Sequence, residues 1–132
     1  MRDLLALPHE IGECTALTAI SLSGNYIARL PAEIGRLTQL RTFSVSENDL
    51  VALPVQIGAL RSLTMLSLAD NRLASVPAEL GRLASLKFLR LDDNELRDLP
   101  PEIGDLTSLE LVRRTECSSR SEIQPPTLPT LA

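Results

Sequence analysis

One 23-residue phrase runs through this chain without interruption. Residues 17–39, 40–62, 63–85 and 86–108 all fit L-x-x-φ-x-φ-x-x-N-x-φ-x-x-φ-P-x-x-φ-G-x-L-x-x, with φ apolar and no insertion or deletion. A fixed period of this length makes each unit one supersecondary element that buries its apolar side only by stacking on a copy of itself. Residues that stay constant between units are therefore read as architecture. Residues that vary on a shared face carry whatever distinguishes this chain.

The first stretch of each unit alternates, as in Leu63-Thr-Met-Leu66-Ser-Leu68 and Leu86-Lys-Phe-Leu89-Arg-Leu91. Period-two alternation predicts a short strand with one buried face. Strands recurring at one spacing, each reached by the same returning connection, can pair only in parallel. Asn25, Asn48, Asn71 and Asn94 follow in register with the leucines. An amide has two donors and an acceptor, enough to bind its own turn and the neighbouring one. These four are read as a buried ladder rather than as loop residues selected for turn propensity.

The second half of the unit reads φ-P-x-x-φ-G-x-L, as in Leu30-Pro31-Ala-Glu33-Ile34-Gly35-Arg-Leu37. Proline suits the first position of a helical turn, and an early Glu suits its positive end. The glycine limits that turn, so one or two turns of α- or 3-10-helix are expected on the outer side.

These motifs resemble the leucine-rich repeat family, in its 23-residue class with the LPxxIG signature found in intracellular Ras-group scaffolds and many bacterial proteins. The resemblance covers about residues 3–112. It implies an α/β repeat solenoid: a short parallel β-sheet on the concave face, short helical or 3-10 turns on the convex side, and an internal asparagine ladder. The expected domain is 1–115, made of a half repeat at 3–16, the four full repeats and a partial strand at 109–115. Residues 116–132 are polar and proline-rich and are expected to be extended or disordered.

Both ends depart from the pattern. Leu4, Leu7, Pro8, Ile11 and Gly12 match the second half of a unit only, and Cys14 aligns with Leu37, Leu60, Leu83 and Leu106, which predicts a small buried residue there. Arg114 falls where Leu22, Val45, Leu68 and Leu91 are apolar, so the array is expected to end near Thr115. The N-terminal end shows no dedicated polar cap. It is read as continuing a longer array or as a surface for self-association.

Composition excludes several functions. The net charge of −4 and the absence of any Lys/Arg run argue against nucleic acid. No apolar stretch approaches a membrane span, and the N-terminus lacks a signal-peptide core. Two cysteines near opposite ends do not make a disulfide framework, which favours a reducing, cytoplasmic setting. His9, the only histidine, lies on an outer turn apart from both cysteines, so no Cys–His pair is expected. Phosphate loops, zinc-ligand spacings and nucleophile elbows are missing. The chain is read as no enzyme and as needing no cofactor or metal.

Stacking the repeats gives columns, one residue per unit. Ala19, Thr42, Met65, Phe88 and Leu111 grow large and apolar toward the C-terminus. Ser21, Ser44, Ser67, Arg90 and Arg113 change from hydroxyl to cation. Ser23, Ser46, Ala69, Asp92 and Thr115 stay mostly small, and Gly24, Glu47, Asp70, Asp93 and Glu116 form an acidic edge. A straight acidic ladder does not converge as calcium requires. It is read as a solvated edge that would steer basic partners.

Met65, Phe88, Arg90, Asp92, Asp93, Leu111 and Arg113 thus form the candidate protein-binding patch: an apolar strip among charges. The competing reading has these side chains shielding one another, with Arg90 paired to Asp92 or Asp93. Family resemblance implies a scaffold for signalling proteins such as small GTPases. The alternative it implies is the substrate-recognition part of a larger bacterial effector ubiquitin ligase whose catalytic domain lies elsewhere.

Overall fold

A computed structural model describes residues 4–113. Five three-residue strands form one sheet: β1 (Ala19–Ser21), β2 (Thr42–Ser44), β3 (Met65–Ser67), β4 (Phe88–Arg90) and β5 (Leu111–Arg113). They run parallel in sequence order, and register steps by one whole unit, with Ile20 opposite Phe43, then Leu66, Leu89 and Val112. Five 3-10 turns alternate with them: η1 (His9–Glu13), η2 (Ala32–Arg36), η3 (Val55–Ala59), η4 (Ala78–Arg82) and η5 (Pro101–Asp105). The result is a leucine-rich repeat solenoid, with strands on the concave side and 3-10 turns on the convex side. The expected tail and the broken end around Arg114 and Thr115 lie outside the described residues.

Leucines fill the space between the two layers. Leu40, Leu63 and Leu86 before the strands, and Phe43, Leu66 and Leu89 within them, are all fully buried. Each contributes about 1.5–3 kcal/mol by leaving water. The first unit is looser, since Leu17, Ile20 and Leu22 are only half-buried. The same cause corrects the expectation for Cys14. It is exposed, because among the described residues no unit packs on the outer side of η1.

The prolines sit one place earlier than expected. Pro31 and its equivalents hold extended backbone just before each turn (φ −73°, ψ 153° at Pro31) instead of occupying its first helical position. Their carbonyls open the turn: Pro31 accepts from Ile34 N–H at 3.1 Å, and Ile34 accepts from Leu37 N–H at 3.1 Å. A chain of three-residue bonds is the 3-10 pattern, and it suits a connection this short.

The asparagines stitch neighbouring units together. The Asn71 side-chain amide donates to the carbonyls of Val45, Leu68 and Ala69 at 3.0, 3.1 and 3.2 Å, and its oxygen accepts Leu50 N–H at 3.0 Å. Asn48 repeats this on Leu22, Val45, Ser46 and Ile27, and Asn94 on Leu68, Leu91, Asp92 and Leu73. At the end of the ladder Asn25 donates to Leu22 and accepts from Leu4 N–H.

Glycine has a second task besides ending the turn. A Cβ at Gly58 would stand 2.6 Å from the Glu79 carbonyl oxygen and 3.0 Å from the Glu79 Cβ on the next turn. The convex turns stack too closely there for any side chain. Two stability changes follow. Gly58→Ala should destabilise the array by about 1–3 kcal/mol through overpacking, whereas Ala59→Ser, exposed in the same turn, should be near neutral. Asn71→Ala should cost about 1–3 kcal/mol by stranding buried backbone groups. Denaturant melts of the three variants, read against the parent chain, test both, and an Asn71→Ala melt that overlays the parent would remove the ladder from the account of stability.

Candidate functional site

The concave face begins with an irregularity at each strand start. Lys87 N–H and Phe88 N–H both donate to the Thr64 carbonyl, at 2.8 and 3.1 Å. Thr64 and Met65 do the same to Arg41, and Arg41 and Thr42 to Thr18. Two successive amides on one acceptor keep both side chains out of the core. Lys87 and Phe88 are accordingly both exposed, and Thr64 and Met65 half-buried. The face thereby gains an extra outward column of Thr18, Arg41, Thr64, Lys87 and Glu110. Simple alternation hides it, and the L-x-x spacing was its only signal.

Hydroxyls pave the N-terminal half of the face. Ser23 and Ser44 hydrogen-bond diagonally between units at 2.8 Å, and Ser46 and Ser67 at 2.6 Å. Ser67 is buried as a result. At the next diagonal, Ala69 stands beside the Arg90 position and the pattern stops.

In the C-terminal half, Phe88 is the large apolar residue left open, 41% exposed, beside half-buried Met65. Leu111 is in register with Phe88, and Arg113 with Arg90. Arg90 uses its fork inside the unit: Nε donates to Asp92 Oδ1 at 3.2 Å and a terminal nitrogen to Oδ2 at 2.7 Å. That hydrogen bond, outweighing desolvation, raises the Arg90 pKa. Asp92 is held nearly buried while Arg90 stays half in water. The two charges thus neutralise each other within the unit, as the competing reading expects.

The described members of the acidic column belong to turns beyond the strands. Glu47, Asp70 and Asp93 all adopt φ +57°, and Gly24 adopts +76°. A left-handed residue three places after each of β1 to β4 aims the chain into the asparagine turn. Repetition of that conformation lines the carboxylates along one rim. Desolvation first, then the charges of Asp93, Asp92 and Glu47, raise the Asp70 pKa. Among the described residues no group of three or more His, Cys, Asp or Glu is placed to hold a metal ion.

His9 opens η1 and Cys14 follows its end, roughly 10 Å apart along such a turn. His9 lies 3.4 Å from Glu10 instead. Among the described residues no helix is long and apolar enough to cross a membrane.

Known proteins match this geometry. The family description "Leucine-rich repeat region" fits residues 33–127. The chain belongs to the leucine-rich repeat family. This repeat chain is similar in structure to a leucine-rich repeat protein of Leptospira interrogans, at 34% identity and TM-score 0.71, over 85% of this chain and 36% of that one. It is similar to internalin C2 of Listeria monocytogenes at fold level, at 24% identity and TM-score 0.74, over 83% and 47%. A TDR receptor gives 27% identity and TM-score 0.75, over 83% and 19%. The chain thus spans less than half the length of each. No curated protein matches it. Leucine-rich repeat proteins are in general protein-interaction modules and typically non-catalytic.

Asp70 ties the rim to pH. Its folded-state pKa lies above the ordinary 3.8, so the folded chain holds that proton more tightly than the unfolded chain. Its ionised form is therefore unfavourable to folding, and stability falls as pH rises through the folded-state pKa. Asp70→Asn should raise the melting temperature at neutral pH, and part of that gain should vanish below pH 3.8. Thermal melts across pH test this; a gain of equal size at all pH values would assign the effect to asparagine's tolerance of left-handed backbone alone.

Proposed function

We propose that this chain is a non-catalytic protein-interaction module that binds a protein partner through the C-terminal half of its concave face. The observation that carries the reading is Phe88, exposed beside Met65 on a sheet face that no other element of the described chain covers. Burying the 41% of Phe88 still open to water in a partner's pocket supplies about 1 kcal/mol. Leu111 is next in register on β5. The Arg90–Asp92 pair and Asp93 flank Phe88 and Met65 as a polar rim of the kind interfaces have, and Arg113 is in register with Arg90.

Family resemblance favours a scaffold for signalling proteins, with small GTPases as candidate partners, in a cytoplasmic setting that the cysteine usage suits. Self-association through the first unit is the competing use of this surface chemistry. The ligase alternative requires a catalytic domain beyond this segment, and no observation here favours it.

Phe88→Glu should abolish capture of a concave-face partner while leaving folding intact, since the site is already open to water. Val51→Glu, at an exposed apolar position off the sheet, serves as control. Pull-down with crosslinking from the native cell reads the outcome. Equal capture by the parent chain and by Phe88→Glu would remove the C-terminal concave patch as the binding surface.

A further inference from the structure

Charge is sorted across the central part of the array in a way that becomes visible only when the units are stacked. Residues 35–45, 58–68 and 81–91 run from the end of a convex turn through the following strand. Together they hold six basic residues and no acidic one. Residues 46–57, 69–80 and 92–103 make the return path and hold nine acidic residues and two basic ones. Parallel stacking superposes like stretches, so the solenoid has one cationic flank and one anionic flank. The apolar strip lies between them.

The cationic flank adjoins that strip directly. Arg36 and Arg82 close convex turns, Arg61 lies on the path up to the sheet, and Arg41 and Lys87 immediately precede Thr42 and Phe88. All five are exposed. None is in an ion pair among the described residues, in contrast to Arg72 with Asp49 and Arg90 with Asp92. The doubled hydrogen bond at each strand start fixes Lys87 next to Phe88 and Arg41 next to Thr42. A segment seated on Phe88 therefore meets unpaired cations at once on this side. On the other side it meets the neutralised Arg90–Asp92 pair before it reaches the acidic rim.

We infer that this flank docks an acidic protein segment in which carboxylates bracket an apolar residue, the apolar side chain resting on Met65 and Phe88 and the carboxylates facing Arg41, Arg61 and Lys87. The inference rests on the concave-face reading above and adds the partner's chemistry and orientation. Interfacial charge of this kind sets orientation and association rate more than raw affinity. A nucleic acid fits the surface less well. Glu13, Asp105 and Glu110 bound the flank at its two ends, Phe88 is its only exposed aromatic neighbour, and a phosphate backbone gains nothing from the apolar strip.

The test uses two labelled peptides of equal length, one with leucines alternating with aspartate and glutamate, the other with leucines alternating with lysine. Polyglutamate and a single-stranded DNA oligomer complete the set. Fluorescence anisotropy at low and high salt is measured on the parent chain, on the Arg41→Glu/Lys87→Glu double variant and on Phe88→Glu. The expected result is that the acidic leucine peptide binds best. It should weaken about tenfold in the double variant, weaken with salt and weaken in Phe88→Glu. Tighter binding of the lysine peptide, binding by neither peptide, or an unchanged affinity in the double variant overturns the inference. So does equal binding of polyglutamate or DNA, which would make the flank a general polyanion surface. Dependence on Phe88 without dependence on the cations keeps the concave-face reading and removes this one. Dependence on the cations without dependence on Phe88 overturns both, since the apolar contact that each requires is then absent.

Discussion

Every part of this solenoid depends on satisfying the backbone where the chain turns off the sheet. After each strand the peptide groups leave the ladder and enter an apolar interior, where an unpaired N–H or C=O costs about 1–3 kcal/mol. Asn48, Asn71 and Asn94 bind three carbonyls and one amide apiece, drawn from their own unit and the preceding one. One side chain thus makes the turn possible and joins two units. A single unit lacks half of those partners, which is why stability here is a property of neighbours.

The same demand shapes both surfaces. On the convex side, Gly58 brings η3 against η4 closely enough that a methyl group has no room. On the concave side, the left-handed residue before each asparagine turns the chain inward and leaves its own side chain on the rim. Acidic residues occupy that position three times at a conformational disadvantage for a residue with a Cβ. At Asp70 desolvation first, and then the neighbouring carboxylates, raise the pKa. Architecture put the carboxylates in a row, and their mutual repulsion is the result of that row.

Function is confined to positions that architecture leaves free. In the N-terminal half those positions bond to one another through serine hydroxyls. Toward the C-terminus Phe88 is left without cover, while Arg90 and Asp92 neutralise each other. The unpaired cations and the carboxylates are then held on opposite flanks by the stacking itself. The surface is polarised in a direction set by the fold and with a sign set by a few variable residues.

Much of this was legible in the residues alone. Period, parallel strands and outer helical turns follow from a pattern in which every buried position recurs at one spacing. The left-handed turn at the acidic position was not legible, because φ leaves no mark on an alternating pattern. Cys14 was misread as buried because its alignment with Leu37 presumes a unit packed against its outer side. The fork of Arg90 and the cations beside the strip depend on contacts between residues a whole unit apart in sequence. Sequence by itself determined which residues must be inside, since burial recurs with the repeat. Only the tertiary structure decided which outer residues are open, paired or gathered by charge, since that depends on what the next unit places about 4.8 Å away.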